Sequence, residues 1–253
     1  MERMRALLPE PADDVDVHEC YARDWLDGGG IRMNFVASVD GAATEDGVSR
    51  GLQTPGDNRV FAALRDLADV VLAGAGTVRT EGYHAIGLSA RRTAIRRDRG
   101  LAERLPTAVV SRSLRLDPDS PLFTDAPPDA RTIVLTCASG DRGVRAALER
   151  VADVVVCGDS DVDFPAARAA LVERGLTRIL SEGGPTLFAE MARAGVVDEL
   201  CLSVTPLLTG PGARRIVAGQ LWPGEPLRLA LTGLLEEHGA LFCRYRVRRD
   251  DIR

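Results

Sequence analysis

Lysine is absent from this chain. All 32 residues counted as Lys+Arg are arginine. A P-loop places a lysine on the β/γ-phosphates, a protein kinase pairs one with its nucleotide, and a pyridoxal enzyme forms its Schiff base on one, so those three classes are excluded. Histidine is scarce, with His18, His84 and His238 each standing alone. A metal centre built from histidines, or a Ser-His-Asp triad, is therefore not expected, and no metal is implied. The zinc-deaminase pattern, H-x-E followed by P-C-x-x-C, is missing. The five cysteines (20, 137, 157, 201 and 243) never form a C-x-x-C pair. Four of them lie within or at the end of apolar runs, where a free thiol packs as a small hydrophobe, as suits a reducing cytoplasm. No apolar run approaches the ~20 residues that span a bilayer. No basic-then-apolar leader opens the sequence, and the expectation is a soluble, cytoplasmic protein without a membrane partner.

What is present is a recurring unit of short β-branched run, Gly- or Ser-rich turn, and helical pattern. Asp69–Thr77, Ala108–Arg112, Thr132–Thr136, Val154–Gly158 and Arg178–Gly184 carry such runs. The last two lead into helical patterns at Pro165–Arg174 and Pro185–Ala194. Continuous apolar runs bounded by turns fit strands buried on both faces of a helix-covered parallel sheet. The C-terminal part differs: Leu227, Leu229 and Leu231 alternate, Glu236–Gly239 turns, and Leu241, Cys243, Tyr245 and Val247 alternate again, which predicts an antiparallel hairpin. Residues 1–30 carry eight Asp/Glu against three Arg and end in three glycines. They read as an acidic arm with a short helix around Val17–Leu26, followed by one α/β domain over 31–253.

In such sheets ligands settle beyond the carboxyl ends of the strands, where this chain keeps its glycines and unusual polar residues. Gly74-Ala-Gly-Thr77 follows a strand and suits close approach of a phosphate, although it also reads as an ordinary tight turn. Ser111-Arg112-Ser113 follows another strand; an arginine between two hydroxyls can bind a phosphate by charge-assisted bonds, or be an ordinary solvated loop residue. Leu180–Thr186 is the most specific stretch: Glu182 closes a buried strand, where an unpaired carboxylate is costly, and Pro185 suits a first helical position. Asn34, Ser38 and Asp40 share one strand face, although Asp40-Gly41 also suits a hairpin turn. Arg65 projects from the apolar stripe of a helix over Asp57–Ala68. The six arginines of Arg91–Arg104 read as a solvated helix face, not a nucleic-acid surface. The chain is acidic overall, with a net charge of −5, and no aromatic residue is interleaved among them.

Taken in order, these pieces resemble the RibD-type pyrimidine reductases of riboflavin biosynthesis, which share the dihydrofolate-reductase-like fold. The matching motifs are N-x-x-x-S-x-D-G at Asn34–Gly41, L-R-x-x-A-D-V-V-L-A-G-A-G-T-V-R at Leu64–Arg79, V-V-S-R-S at Val109–Ser113 and E-G-G-P-T-L at Glu182–Leu187, followed by V-D-E-L at Val197–Leu200 and T-P-L-L at Thr205–Leu208.

The resemblance implies an NADPH-dependent, cytoplasmic, homodimeric reductase. It would convert 5-amino-6-(5-phosphoribosylamino)uracil to its ribitylamino product by hydride transfer to ribose C1′. Gly74, Gly76, Thr77 and Glu81 would meet the cofactor, Ser111 and Arg112 would lie near its 2′-phosphate, and Gly183, Gly184, Pro185, Thr186 and Leu187 would hold the pyrophosphate region. Asn34, Ser38, Ser49, Arg65 and Glu182 would face the substrate, with Asp40 as the candidate acid/base. Two departures stand out: Asn34 where many bifunctional members have lysine, and Glu81-Gly82-Tyr83 where many carry Asp-Asp-Pro. The second leaves open a reductase of dihydrofolate or another heterocycle on the same fold, and a non-catalytic NADPH-binding regulator is a third reading. No deaminase half is present in this sequence.

Overall fold

The computed structural model describes residues 4–219 and 225–249. In chain order its elements are β1 (Arg5–Leu8), α1 (Val17–Ala22), α2 (Trp25–Gly28), β2 (Gly30–Ser38), α3 (Pro55–Leu67), β3 (Val70–Gly74), α4 (Ala75–Glu81), α5 (Ala90–Asp98), β4 (Thr107–Val110), α6 (Pro121–Thr124), β5 (Ile133–Thr136), α7 (Arg142–Glu149), β6 (Asp153–Val156), α8 (Phe164–Val172), β7 (Arg178–Ser181), α9 (Pro185–Arg193), β8 (Glu199–Thr205), β9 (Leu229–Glu237) and β10 (Ala240–Val247). The chain divides into two compact units, the first made of Met1–Leu67 and Pro185–Arg253 and the second of Ala68–Gly184.

The second unit is the parallel one. Its strands run in the order β7-β3-β4-β5-β6, and every pairing among them is parallel. Their carboxyl ends therefore lie on one side of this unit. The Val-Val-Leu-Ala run of β3 is buried along its whole length, as a strand covered on both faces must be. The core behind it joins Ala73, Val109 and Val134 to Leu122, Phe123 and Leu148. β6 departs from the expected burial: Val156 is 46% exposed, because β6 stands at the end of this strand order and pairs with β5 alone among the described residues. The helices begin where the sequence offers caps: Asp141 accepts from Val144 N at α7, and Asp163 from Ala166 N at α8. Gly82 ends α4 in the left-handed conformation.

The first unit is mixed, in the order β1-β9-β10-β8-β2, with β8 and β2 parallel and the remaining pairs antiparallel. The predicted hairpin is β9–β10. Its two-residue turn places His238 and Gly239 at φ 51° and 79°, the two positive values that a type I′ turn needs. In α3, Val60, Ala63, Leu64 and Leu67 form the buried stripe, and Pro55 is the first residue.

The division of the chain does not fall at residue 30, where acidic composition suggested a boundary. β1 pairs with β9, Tyr21 and Trp25 are buried, and the short helix expected around Val17–Leu26 is split into α1 and α2. Behind them Glu199 is held between Arg32 and Arg244, which are 1% and 6% exposed. These two arginines also donate to the carbonyls of Tyr21, Cys20 and Arg23. The Arg32 guanidinium lies 4.1 Å from the centroid of Trp25. Residues 1–3 and 250–253, the ends of the two expected segments, lie outside the described residues.

The arginine-rich segment 91–104 is also corrected at one position. Arg96 on α5 is fully buried, and it donates to the carbonyls of Ala68, Ala102 and Arg104. Four of the five cysteines are buried, as their apolar runs suggested, and all five are free thiols. Burial pushes the Cys201 thiol up to about 12. No helix among the described residues is long and apolar enough to cross a membrane.

Candidate active site

In the second unit the expected cofactor residues gather at the carboxyl ends of the parallel strands. Gly74 ends β3 and precedes α4, so Gly76 and Thr77 stand in the first turn of that helix, and Glu81 is exposed at its end. The Gly74 amide donates to the Gly183 carbonyl at 2.9 Å, which ties the first glycine turn to the second. Gly183 has φ +95°, and the Gly183–Gly184 peptide is cis. A Cβ at Gly184 would stand 2.7 Å from Thr77 Oγ1, so any larger residue there would have to displace that hydroxyl, whereas Gly76 faces open space. At the end of β4 the Ser111 hydroxyl is buried and has no hydrogen-bond partner among the described residues. Arg112 beside it is exposed and pairs with Asp161 at 2.7 Å.

These features fit a dinucleotide. Two linked glycine turns suit close approach of a phosphate chain, and an orphaned hydroxyl stands next to a guanidinium. Pro185, Thr186 and Leu187 continue the second glycine turn into α9 and belong to the first unit; Thr186 is exposed and Leu187 buried.

Glu182 lies just beyond β7 and is half-buried, not buried in the strand as expected. Its amide donates to the Leu72 carbonyl, and its carboxylate accepts from the Tyr83 hydroxyl at 2.7 Å. The residue that marks the departure at 81–83 thus reaches the carboxylate expected to face the substrate. The motif pointed to the loop but not to this contact, which spans 99 residues of chain.

The remaining substrate-side residues lie in the first unit. Asn34 is half-buried in the middle of β2, and its Oδ1 is enclosed without a hydrogen-bond partner among the described residues. Ser49 precedes a single 3₁₀ turn over Arg50–Leu52, and its side chain makes no cap. Arg65 rises from α3 with its guanidinium 4.4 Å from the Phe61 ring centroid. Ser38, by contrast, is buried and engaged internally: its hydroxyl donates to Asp40 and accepts from the Ala42 amide at 3.0 Å.

Asp40, the expected acid/base, is engaged by several donors of the protein itself. Besides the Ser38 hydroxyl it accepts from Gly210 N at 2.9 Å and Thr209 N at 3.2 Å, so it fastens the turn after β8 to the end of β2. These donors, led by Ser38, hold its carboxyl down at about 2. The carboxylate is ionised at neutral pH, with acceptor positions taken by these donors. Among the described residues no cluster of His, Cys, Asp and Glu could hold a metal ion.

Residues 30–237 match the RibD C-terminal domain, and the chain belongs to that family. It is similar to the 2,5-diamino-6-ribosylamino-4(3H)-pyrimidinone 5′-phosphate reductase of Archaeoglobus fulgidus, with 26% identity over 71% of this chain and 81% of that one. The protein of the same description from Methanothermobacter thermautotrophicus is 28% identical over 75% of this chain and 84% of the other. Among solved structures, a pyrimidine reductase-like protein from Corynebacterium diphtheriae has 27% identity and a TM-score of 0.83, covering 93% of this chain and 100% of that one. The fold is that of the RibD reductases, and the family is one of riboflavin-biosynthesis pyrimidine reductases, which implies a nicotinamide cofactor.

Proposed function

We propose that this protein is an NADPH-dependent reductase of a ribosylamino-pyrimidine 5′-phosphate, reducing 5-amino-6-(5-phosphoribosylamino)uracil to its ribitylamino product. The observation that carries the reading is the cluster at the ends of β3 and β7, where an ordered carboxylate, Glu182, adjoins two linked glycine turns. When bound, the reduced nicotinamide supplies a hydride to ribose C1′. The net reaction also takes up one proton, which ends on the ring oxygen as the sugar opens.

The protein's own share is binding and orientation. Gly74, Gly76, Thr77, Gly183 and Gly184 offer backbone to the pyrophosphate, and Ser111 with Arg112 takes the 2′-phosphate. Glu182, fixed by Tyr83, accepts from N–H or O–H groups of the pyrimidine or ribose.

The names of the two archaeal relatives favour a second substrate, the diaminopyrimidinone that still carries the exocyclic amine. Both pyrimidines present the same phosphoribosylamino group at C1′. The test is NADPH oxidation by the purified protein on each pyrimidine, with dihydrofolate in parallel. Turnover on either pyrimidine supports the reading, and their ratio assigns the substrate. Turnover on dihydrofolate alone, or tight NADPH binding with none of the three reduced, overturns it.

A further inference from the structure

Arg112 and Asp161 are 49 residues apart in sequence and meet at 2.7 Å. They follow β4 and β6, so both lie at the carboxyl side of the second unit's strands. Their side chains are 68% and 69% exposed, and an ion pair so open to water contributes little to stability. Its position is more informative than its strength. Arg112 adjoins Ser111, whose buried hydroxyl lacks a partner among the described residues. The carboxylate therefore sits on the guanidinium of the residue next to a buried hydroxyl that has no partner among the described residues.

Asp161 is also held where it is. Ser139 N donates to Asp159 O at 2.8 Å, and the Ser139 hydroxyl and Cys137 thiol reach Ser160 O at 3.1 and 3.4 Å. Gly158, at φ +96°, lets the Asp161 carbonyl come within 2.3 Å of where a Cβ would be. The loop backbone is anchored, so only side-chain rotation separates the carboxylate from Arg112. Asp161 engages one nitrogen of the guanidinium, so a ligand phosphate either displaces the carboxylate or binds beside it, and in both cases Asp161 stays nearby as a negative charge.

We propose that Asp161 is a specificity-determining residue: it competes with the 2′-phosphate of the dinucleotide for Arg112 and so sets the difference in affinity between the phosphorylated and unphosphorylated cofactor. The inference rests on the reading that Ser111 and Arg112 receive the 2′-phosphate. A phosphate monoester carries close to two negative charges at neutral pH, against one on the carboxylate, and presents three acceptor oxygens to the guanidinium fork. It wins the exchange, at a cost set by Asp161. A dinucleotide with a free 2′-hydroxyl has no such claim and leaves the pair intact.

Equilibrium binding of NADPH, NADH and 2′,5′-ADP to the full-length protein tests this without turnover. Asp161→Asn is expected to tighten NADPH and 2′,5′-ADP by about two- to fivefold, with NADH unchanged and the gain shrinking as salt rises. Arg112→Ala is expected to weaken the two phosphorylated ligands by roughly tenfold or more, and Asp161→Asn should then add nothing in that background. Asp161→Ala serves as a second variant and should reproduce the gain. If Arg112→Ala weakens phosphorylated ligands while neither Asp161 variant tightens them, the competition is overturned and the phosphate site stands. If the Asp161 variants weaken NADH selectively, Asp161 holds the ribose hydroxyl and the inference is overturned. If Arg112→Ala leaves all three affinities unchanged, the assignment of the 2′-phosphate site falls, and the inference with it.

Discussion

Tyr83 donates its hydroxyl to the Glu182 carboxylate at 2.7 Å, although Tyr83 follows the glycine that ends α4 and Glu182 follows β7. The ring of Tyr83 packs against the core beneath β3 and β4, so the hydroxyl is presented from a supported side chain. A hydrogen bond to a charged acceptor contributes about 1.5–3 kcal/mol. Tyr83→Phe is therefore expected to raise KM for the pyrimidine by roughly tenfold while leaving the dissociation constant of the cofactor unchanged. Steady-state kinetics beside nucleotide titration measures both. An unchanged KM would mean that Tyr83 does not orient Glu182 for substrate.

Asp40 is expected to act as a fastener. Its carboxyl titrates at about 2 in the folded protein, below the 3.8 of a free aspartate, so the ionised form is favoured by folding. That contribution is complete above about pH 4 and is lost as pH falls towards about 2. Asp40→Asn should lower the melting temperature at pH 7, and the difference from the parent should close over that acid range. Turnover by folded Asp40→Asn is expected to persist. Its loss, with a normal melt, would restore a chemical role to this residue.

Asp57 has the opposite sign. It is buried in the first turn of α3, and burial pushes its carboxyl above the usual range, with a bond from Ser203 only partly opposing this. The folded state thus holds the proton more tightly than the unfolded chain. The associated stability is fully present below the unfolded value and is lost as pH rises through the folded one. Asp57→Asn should raise the melting temperature at pH 7, with the gain vanishing near about pH 3.5. A gain that did not depend on pH would refute ionisation as its cause.

Glu199 is the centre of a buried triad with Arg32 and Arg244. Removing its charge leaves two arginines in the interior without their carboxylate. Breaking a buried pair in this way costs about 3–5 kcal/mol. Glu199→Gln should show that loss in urea unfolding, and amide exchange should rise in 17–28, because the same arginines hold the carbonyls of Cys20, Tyr21 and Arg23. A loss under about 1 kcal/mol would show that the site hydrates on mutation.

Much of the fold was legible because its signals are local. The run of β3 and the alternation before and after His238-Gly239 each reflect which faces of a strand are covered, and a few adjacent residues carry that information. The two glycine turns were legible for a similar reason: glycines next to strand ends mark close backbone approach wherever they occur. Arg96 was not. Six arginines in a short stretch look like a solvated face, and nothing local distinguishes the one whose guanidinium meets three carbonyls. The acidic first thirty residues misled in the same way, since Arg244, more than two hundred residues away, holds the carbonyls of Cys20 and Arg23, and β9 pairs with β1.

The sequence by itself determined the strands of the parallel unit, the hairpin turn and the two glycine turns, because backbone freedom and apolar periodicity are properties of neighbouring residues. Only the tertiary structure decided which polar groups remain available. Asp40 and Ser38 satisfy each other and a distant turn, Asn34 Oδ1 and Ser111 Oγ have no partners among the described residues, Glu182 gains Tyr83, and Arg112 gains Asp161. A side chain's chemistry is set by the donors, acceptors and charges within a few ångströms of it, and those come from parts of the chain that its own sequence neighbourhood does not contain.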